Sequence, residues 1–157
     1  QNFGAKKYRR ILIGVKQCLM MSIGFSILAG IAVIFFGQNF VALFVARSET
    51  NVFELAQVYF NANASMYWIL AILFILRYTL QGLGQAKIPT IAGIMELFMR
   101  SFAAIFLTRL FGYHGAVLAS PLAWAGSVAV LVYSYLKAIK ELRRLAEAQE
   151  QEELPLN

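Results

Sequence analysis

The stretch IPTIAGIMELFMRSFAAIFL, residues 88–107, decides the fold of this chain. It is largely apolar but carries two charged residues, Glu96 and Arg100. About 20 apolar residues in a helix cross a hydrocarbon core of roughly 30 Å. Glycines that favour breaks stand on both sides, at Gly84 and Gly112. We therefore predict that this stretch crosses a lipid bilayer, although it holds two charges.

Three further stretches are long enough to span. There are 30 uncharged residues between Lys16 and Arg47, 22 between Glu54 and Arg77, and 27 in residues 110–136. The whole chain is 60% hydrophobic and only 14% charged, against about 25% charged in ordinary soluble domains. This composition excludes a disordered protein and an ordinary soluble enzyme. We predict an all-α membrane protein with four transmembrane helices at 14–37, 55–78, 88–110 and 115–136.

The positive charges indicate the orientation of these helices. Four crossings place 11 of the 14 Lys and Arg residues on the face that carries both chain ends, and two on the other face. Cytoplasmic loops are rich in Lys and Arg, so both ends are predicted to be cytoplasmic. The predicted organisation is a cytoplasmic loop at 1–13, a four-helix transmembrane region at 14–136 and a cytoplasmic tail at 137–157.

The tail carries charged residues with apolar ones at helical spacing, namely Ile139, Leu142, Leu145 and Ala146. This pattern predicts a C-terminal cytoplasmic amphipathic helix. Two interpretations stay open. Its basic first turns rest on anionic headgroups, or its apolar face docks a partner.

Glu96 and Arg100 are one helical turn apart and can form an intramembrane ion pair. Arg100 would lie about 16 Å into the bilayer if Pro89 marks the cytoplasmic boundary. Charges at that depth are costly and face protein or a water-filled cavity. The pair is either a static contact that orients this helix, or a proton- or cation-responsive pair that rearranges in a transporter.

The second predicted helix carries a cluster of polar and aromatic residues in its outer half. Asn61 and Ser65 share one face, and Tyr59, Asn63 and Tyr67 share another. An amide in lipid requires a hydrogen-bond partner. The cluster is therefore a substrate-cavity lining (Asn61, Asn63, Ser65 and Tyr67), a polar contact between helices, or an interfacial aromatic belt.

Small residues recur at every fourth position in two of the helices, as Ser22, Ser26 and Gly30 in the first and as Ala119, Ala123 and Ser127 in the fourth. Such stripes predict close helix packing. Pro121 lies inside the fourth predicted helix and should bend it and free a backbone carbonyl.

No catalytic signature accompanies these helices. The single Cys excludes an internal disulfide and a zinc site of several thiolates, and His114 stands alone in an outer turn. The sequence contains no phosphate-binding loop, nucleophile elbow or metal-binding His-Glu motif. The aromatic residues lie in the spans and not among the basic residues, which argues against nucleic acid. We predict no enzyme activity, no metal, no cofactor and no nucleic-acid partner.

Four segments together resemble the multidrug and toxic compound extrusion (MATE) family of transporters. They are residues 1–5 (QNFGA) followed by Lys7, residues 80–84 (LQGLG) followed by Pro89, Gly93, Glu96 and Arg100, residues 40–44 (FVALF), and Pro121 with Trp124. Each motif is loose by itself, but the four occur in order with suitable spans between them. The resemblance covers nearly the whole chain apart from the tail.

The resemblance implies a twelve-helix transporter, of which this chain is similar to helices nine to twelve. That agrees with a start at Gln1 in place of Met, which reads as a piece of a longer chain. The missing N-terminal helices would then be partners, together with the lipid bilayer and drug-like small molecules. The family's tenth helix contributes to the cavity, which favours cavity lining by Asn61, Asn63 and Tyr67. Asp is absent, so whether the coupling ion is H⁺ or Na⁺ stays open.

The function implied is part of a cation-coupled multidrug efflux antiporter in the plasma membrane, here a bacterial inner membrane. Alternating access about a midplane cavity would export amphipathic, often cationic compounds. Four helices alone should not transport. The alternatives are a lipid-linked oligosaccharide flippase of the same superfamily, a small four-helix exporter acting as a dimer, and a non-transporting membrane assembly protein.

Overall fold

The computed structural model describes residues 1–153, with side chains to residue 151, and every regular element in that range is helical. The first half contains α1 (Tyr8–Val41), α2 (Thr50–Ala64) and α3 (Tyr67–Gly82). The second half contains α4 (Lys87–Phe102), a π-helical turn (Ala103–Leu107), α5 (Thr108–Phe111), α6 (Tyr113–Val117) and α7 (Ala119–Glu153).

Three of the helical stretches are long and apolar enough to cross a membrane, and they are Tyr8–Val41, Lys87–Phe111 and Tyr113–Gln151. The pair α2 and α3 forms a fourth span if the two are counted as one. The chain is an all-α membrane protein with three to four spans, which confirms the predicted fold class. Residues 88–107 are helical throughout, with the π-helical turn at the C-terminal end of the stretch.

The second span was predicted as one helix over 55–78, and this prediction is wrong. The chain bends by 46° between α2 and α3, and Met66 leaves the helical conformation at φ −106° and ψ 8°. Two side chains explain the bend. The Ser65 hydroxyl donates to the carbonyl of Ala62, and the Asn63 amide donates to that of Tyr59. Such bonds back to the preceding turn weaken and bend a helix.

The central element of the bundle is α7, which packs against α3 and α4, while α1 packs against α2 and α3. One stripe of buried residues runs along α7, in which Ala119, Ala123 and Ser127 are followed by Leu131, Ser134, Ala138 and Leu142. Ser26 and Gly30 are buried on α1. The predicted close packing is confirmed along the α7 stripe and at Gly30 on α1, whereas Ser22 is half-buried and lines a groove. A main core forms where Leu73, Leu76 and Leu80 of α3 meet Leu131 of α7.

The last span is interrupted three residues before Pro121. α6 ends at Val117, Leu118 forms a turn, and α7 starts at Ala119. Pro121 therefore lies in the first turn of α7, where a missing backbone N–H costs little. The carbonyl four residues before it, which would otherwise receive that N–H, belongs to Val117.

The predicted tail is a direct continuation of the last span, since α7 runs unbroken to Glu153. Ala138 and Leu142 are buried, and Ala138 belongs to the main core. Arg9 at the start of α1 forms an ion pair with Glu150, with 2.6 Å between Nη1 and Oε1. The apolar side of the tail thus packs against the chain itself. The two described ends of the chain lie together, at what is called here the terminal end of the bundle.

Candidate functional site

A charged cluster lies between the spans, around the carboxylate of Glu96. The Nη2 atom of Arg77 on α3 donates to Oε2 at 2.9 Å, and Nη2 of Arg100 donates to Oε1 at 3.1 Å. Both carboxylate oxygens of Glu96 therefore accept a charge-assisted hydrogen bond. The predicted pair of Glu96 and Arg100 is present, and Arg77 joins it from a second helix.

Two serines of α7 complete this cluster. Arg77 also donates to the hydroxyl of Ser127 at 3.2 Å, and Arg100 donates through Nη1 to the hydroxyl of Ser120 at 3.1 Å. Ser127 is completely buried. The network, defined here as Arg77, Glu96, Arg100, Ser120 and Ser127, thus ties together α3, α4 and α7.

The charges of the network do not cancel. One carboxylate faces two guanidiniums, which leaves one net positive charge. The side chains of Arg77 and Glu96 are only 21% and 22% exposed, whereas that of Arg100 is 43% exposed. The Nε atom of Arg77 is buried without a hydrogen-bond partner among the described residues. Removing Glu96 would leave two nearby cations without their common anion, which is a costly state inside a membrane.

The predicted cavity residues of the second span lie in different environments. Asn63 is 2% exposed, and its Nδ2 donates to the carbonyl of Tyr59 at 3.1 Å and to that of Val117 at 3.4 Å. The Val117 carbonyl is the one to which residue 121 cannot donate, because proline has no backbone N–H. Asn63 therefore connects two interrupted spans, as a polar contact between helices would. Its Oδ1 is buried and has no partner among the described residues.

Asn61 is exposed on α2, and Ser65 is exposed at the C-terminal end of that helix. Gln57 donates to the Asn61 oxygen at 2.8 Å and to the carbonyl of Ile34 on α1 at 3.0 Å. The Ser65 hydroxyl donates to the carbonyl of Ala62. The lining of a common cavity by these four positions stays a prediction.

Tyr67 lines an apolar groove between α1 and α3. The groove has a volume of about 660 Å³ and its walls include Met21, Phe25, Tyr67, Leu70 and Phe74. The Tyr67 ring also lies 6.4 Å from that of Trp124 on α7. Methionine and aromatic side chains adapt to apolar ligands of different shapes. Tyr67, one of the four predicted cavity residues, is thus placed in a groove of this kind.

Comparison with known proteins identifies the family. The family model described as MatE matches residues 1–106, which is more than half of the chain. The chain belongs to the MATE family. No curated protein and no solved structure matches this MATE chain. Proteins of the MATE family are membrane transporters and not enzymes.

The matched part of this MATE chain includes α1 to α4 and hence Arg77, Glu96, Arg100 and Asn63. The last span lies outside it, with Pro121 and Trp124. These two residues carried part of the predicted resemblance, and the match does not extend to them.

Arg77 is the site residue of this MATE chain that sequence reasoning missed. It was counted with the cations of the cytoplasmic face, because it ends an uncharged stretch. The structure continues α3 for more than a turn beyond it, to Gly82, and directs its guanidinium to Glu96. The sequence did contain a signal for this: Gly82, a residue typical of helix ends, comes five residues after Arg77, which places Arg77 inside the helix.

Proposed function

We propose that this chain supplies four spans of a cation-coupled multidrug efflux antiporter, which works together with further helices of a MATE transporter. The observation that carries the proposal is the network around Glu96. It places a carboxylate between three helices, where a change in its charge changes contacts on all three. The family match supports the transporter class.

Glu96 is proposed as the coupling residue. Each of its oxygens accepts from one guanidinium, and a sodium ion there would need further oxygen ligands beside two positively charged arginines. A proton needs only one of the two oxygens. Proton uptake at Glu96 removes the anion that holds Arg77 and Arg100 together, and α3 can then shift relative to α4. In an alternating-access transporter, such a shift separates the two open states.

The proposed substrates are amphipathic compounds, often cationic, that bind in an aromatic cavity. The groove at Tyr67 supports this class, since it offers apolar and aromatic walls with few polar groups. A cation can bind over an aromatic face. The plasma membrane is the proposed location, with both ends of the chain in the cytoplasm.

Ethidium uptake into inside-out vesicles, which corresponds to export from the cell, tests this proposal in the full-length transporter. Transport driven by an imposed pH gradient should be lost in Glu96→Gln, because an amide takes up no proton and cannot couple the gradient to the shift of α3. The matched control is Glu54→Gln, which removes a carboxylate at the start of α2, and it should retain near wild-type transport. Wild-type transport by Glu96→Gln would contradict the coupling role. Pumping by residues 1–157 alone would contradict the need for further helices.

The flippase alternative gains one observation from the structure. A flippase for an anionic lipid-linked sugar needs cationic side chains in its path, and the network holds a second guanidinium, Arg77, beside Arg100. Wild-type protein that moves no ethidium under a pH or sodium gradient would favour this alternative over the antiporter.

A further inference from the structure

A basic cleft lies at the terminal end of the bundle, where α1 begins and the tail of α7 passes it. Its walls include Lys7, Arg9, Arg10, Ile13 and Glu150, and its volume is about 430 Å³. Three cations and one anion give it a net positive charge. In the described part of the chain, Arg9 pairs with Glu150, and Lys7 and Arg10 take part in no ion pair.

An apolar groove begins one helical turn after this cleft. Gly14, Cys18 and Tyr78 line a first section of about 290 Å³, which shares Ile75 with the 660 Å³ section that contains Tyr67. Both sections lie between α1 and α3 and meet at Ile75, and together they are called here the α1–α3 groove. On α1 it reaches from Gly14 to Ala29, a length of about 22 Å. One leaflet of a bilayer has a hydrocarbon depth of roughly 15 Å, half of the full core.

Two of the hydroxyl groups on this groove, those of Ser26 and Thr79, donate within their own helices. Ser26 donates to the carbonyl of Ile23 at 2.8 Å, and Thr79 donates to that of Ile75 at 2.7 Å. The groove therefore presents mainly apolar atoms, which suits a hydrocarbon chain. Arg10, Gly14 and Cys18 follow one another at four-residue spacing, so the cation and the groove share one face of α1.

We propose that this face binds one anionic phospholipid. Its phosphate binds Lys7 and Arg10 in the basic cleft, and one acyl chain lies in the α1–α3 groove. A lipid can fill both parts of this site, because its phosphate complements the basic cleft and its acyl chain fills the apolar groove. A soluble anion would fill only the cleft. The exposed pair of Arg9 and Glu150 contributes little stability, so it does not prevent a phosphate from entering. The acyl chain shares the Tyr67 section of this groove with the proposed substrates, whereas the phosphate site at Lys7 and Arg10 does not rest on the proposed transport function.

Spin-labelled lipids test the site on the full-length transporter reconstituted in phosphatidylcholine vesicles. The motionally restricted fraction of the electron paramagnetic resonance spectrum is compared for labelled phosphatidylglycerol and labelled phosphatidylcholine. We expect phosphatidylglycerol to associate up to about thirtyfold more strongly, because each of the two cations, Lys7 and Arg10, contributes roughly a factor of five near an anionic lipid. Lys7→Gln with Arg10→Gln should reduce this preference to near unity.

Two further variants separate a specific site from general attraction. Lys140→Gln with Arg144→Gln removes the same charge from exposed positions of the tail and should keep the preference. Ala71→Phe fills the α1–α3 groove without changing charge and should lower association of phosphatidylglycerol. The proposal is overturned if the wild type shows no preference, if the tail variant loses as much preference as the cleft variant, or if Ala71→Phe has no effect. Circular dichroism verifies that each variant is helical.

Discussion

At the scale of single residues, the surroundings of Glu96 and Gly30 show how tightly a few contacts hold the spans. The single carboxylate of Glu96 forms ion pairs with the guanidiniums of both Arg77 and Arg100. Gly30 allows α1 to approach the backbone of α2, because a Cβ atom built at this position would lie 2.5 Å from the carbonyl oxygen of Ala64. Neither residue can change without moving its neighbour.

Gly30→Ala should destabilise the bundle by about 1–3 kcal/mol, since the added methyl group forces two backbones apart. The matched control is Gly24→Ala on the same helix, where an added Cβ meets no atom within 4 Å. It should be neutral or stabilise by up to about 1 kcal/mol through helix propensity. Unfolding in mixed micelles, followed by circular dichroism, measures both. Equal effects of the two substitutions would contradict the close approach at Gly30.

At the scale of helices, the interruption of one span and the bend of another are linked. Asn63 at the end of α2 donates to the carbonyl of Val117, which Pro121 leaves without its usual backbone donor. The polar side chain in one span thus compensates for the proline in another. Their coupling can be measured because each residue can be removed separately.

Asn63→Ala should cost about 1 kcal/mol, the typical value of an interhelical hydrogen bond in a membrane. In a Pro121→Ala background, the N–H of residue 121 can donate to Val117. The same Asn63→Ala change should then cost about 0.5 kcal/mol less. The double-mutant cycle is measured by unfolding in mixed micelles, with Asn61→Ala as the control that should cost the same in both backgrounds. A coupling of zero would show that the Val117 carbonyl does not depend on Asn63.

At the scale of the whole molecule, α1 is the most open of the long spans. Only 6% of the most apolar 18-residue segment of α1 is buried within the chain, against 39% of the corresponding segment of the last span. Large side chains such as Met20, Phe35 and Phe36 are exposed. These surfaces require lipid or further helices as their surroundings, as expected for a membrane transporter.

The closeness of Arg9 and Glu150 leads to a topology prediction. In a Cys18→Ser background, single cysteines at Asn2 and Gln149 should react with an impermeant maleimide only when the cytoplasmic side is accessible. A cysteine at His114 should react from the opposite side. Reaction of Asn2 and Gln149 from opposite sides would contradict an even number of crossings, and with it the assignment of α2 and α3 to one span.

Much of this architecture could be predicted from the sequence. Hydrophobic length determines which segments are helical and enter the membrane, so residues 88–107 were assigned correctly although they carry Glu96 and Arg100. Four-residue spacing determines that those two side chains meet, because both lie on one helix. Small residues at the same spacing determine the packed faces of α1 and α7. These features are local, and a single helix is enough to define them.

Tertiary structure decided the contacts between helices. Arg77 reaches Glu96 across 19 positions of sequence, and Asn63 reaches Val117 across 54. The bend at Ser65 and Met66 depends on hydrogen bonds from the Ser65 hydroxyl and the Asn63 amide to backbone carbonyls of the preceding turn. Sequence spacing contains no information on which neighbouring helix supplies a partner, because that depends on how the helices are arranged around α7. The pairing of charges and amides was therefore settled only by the packed bundle.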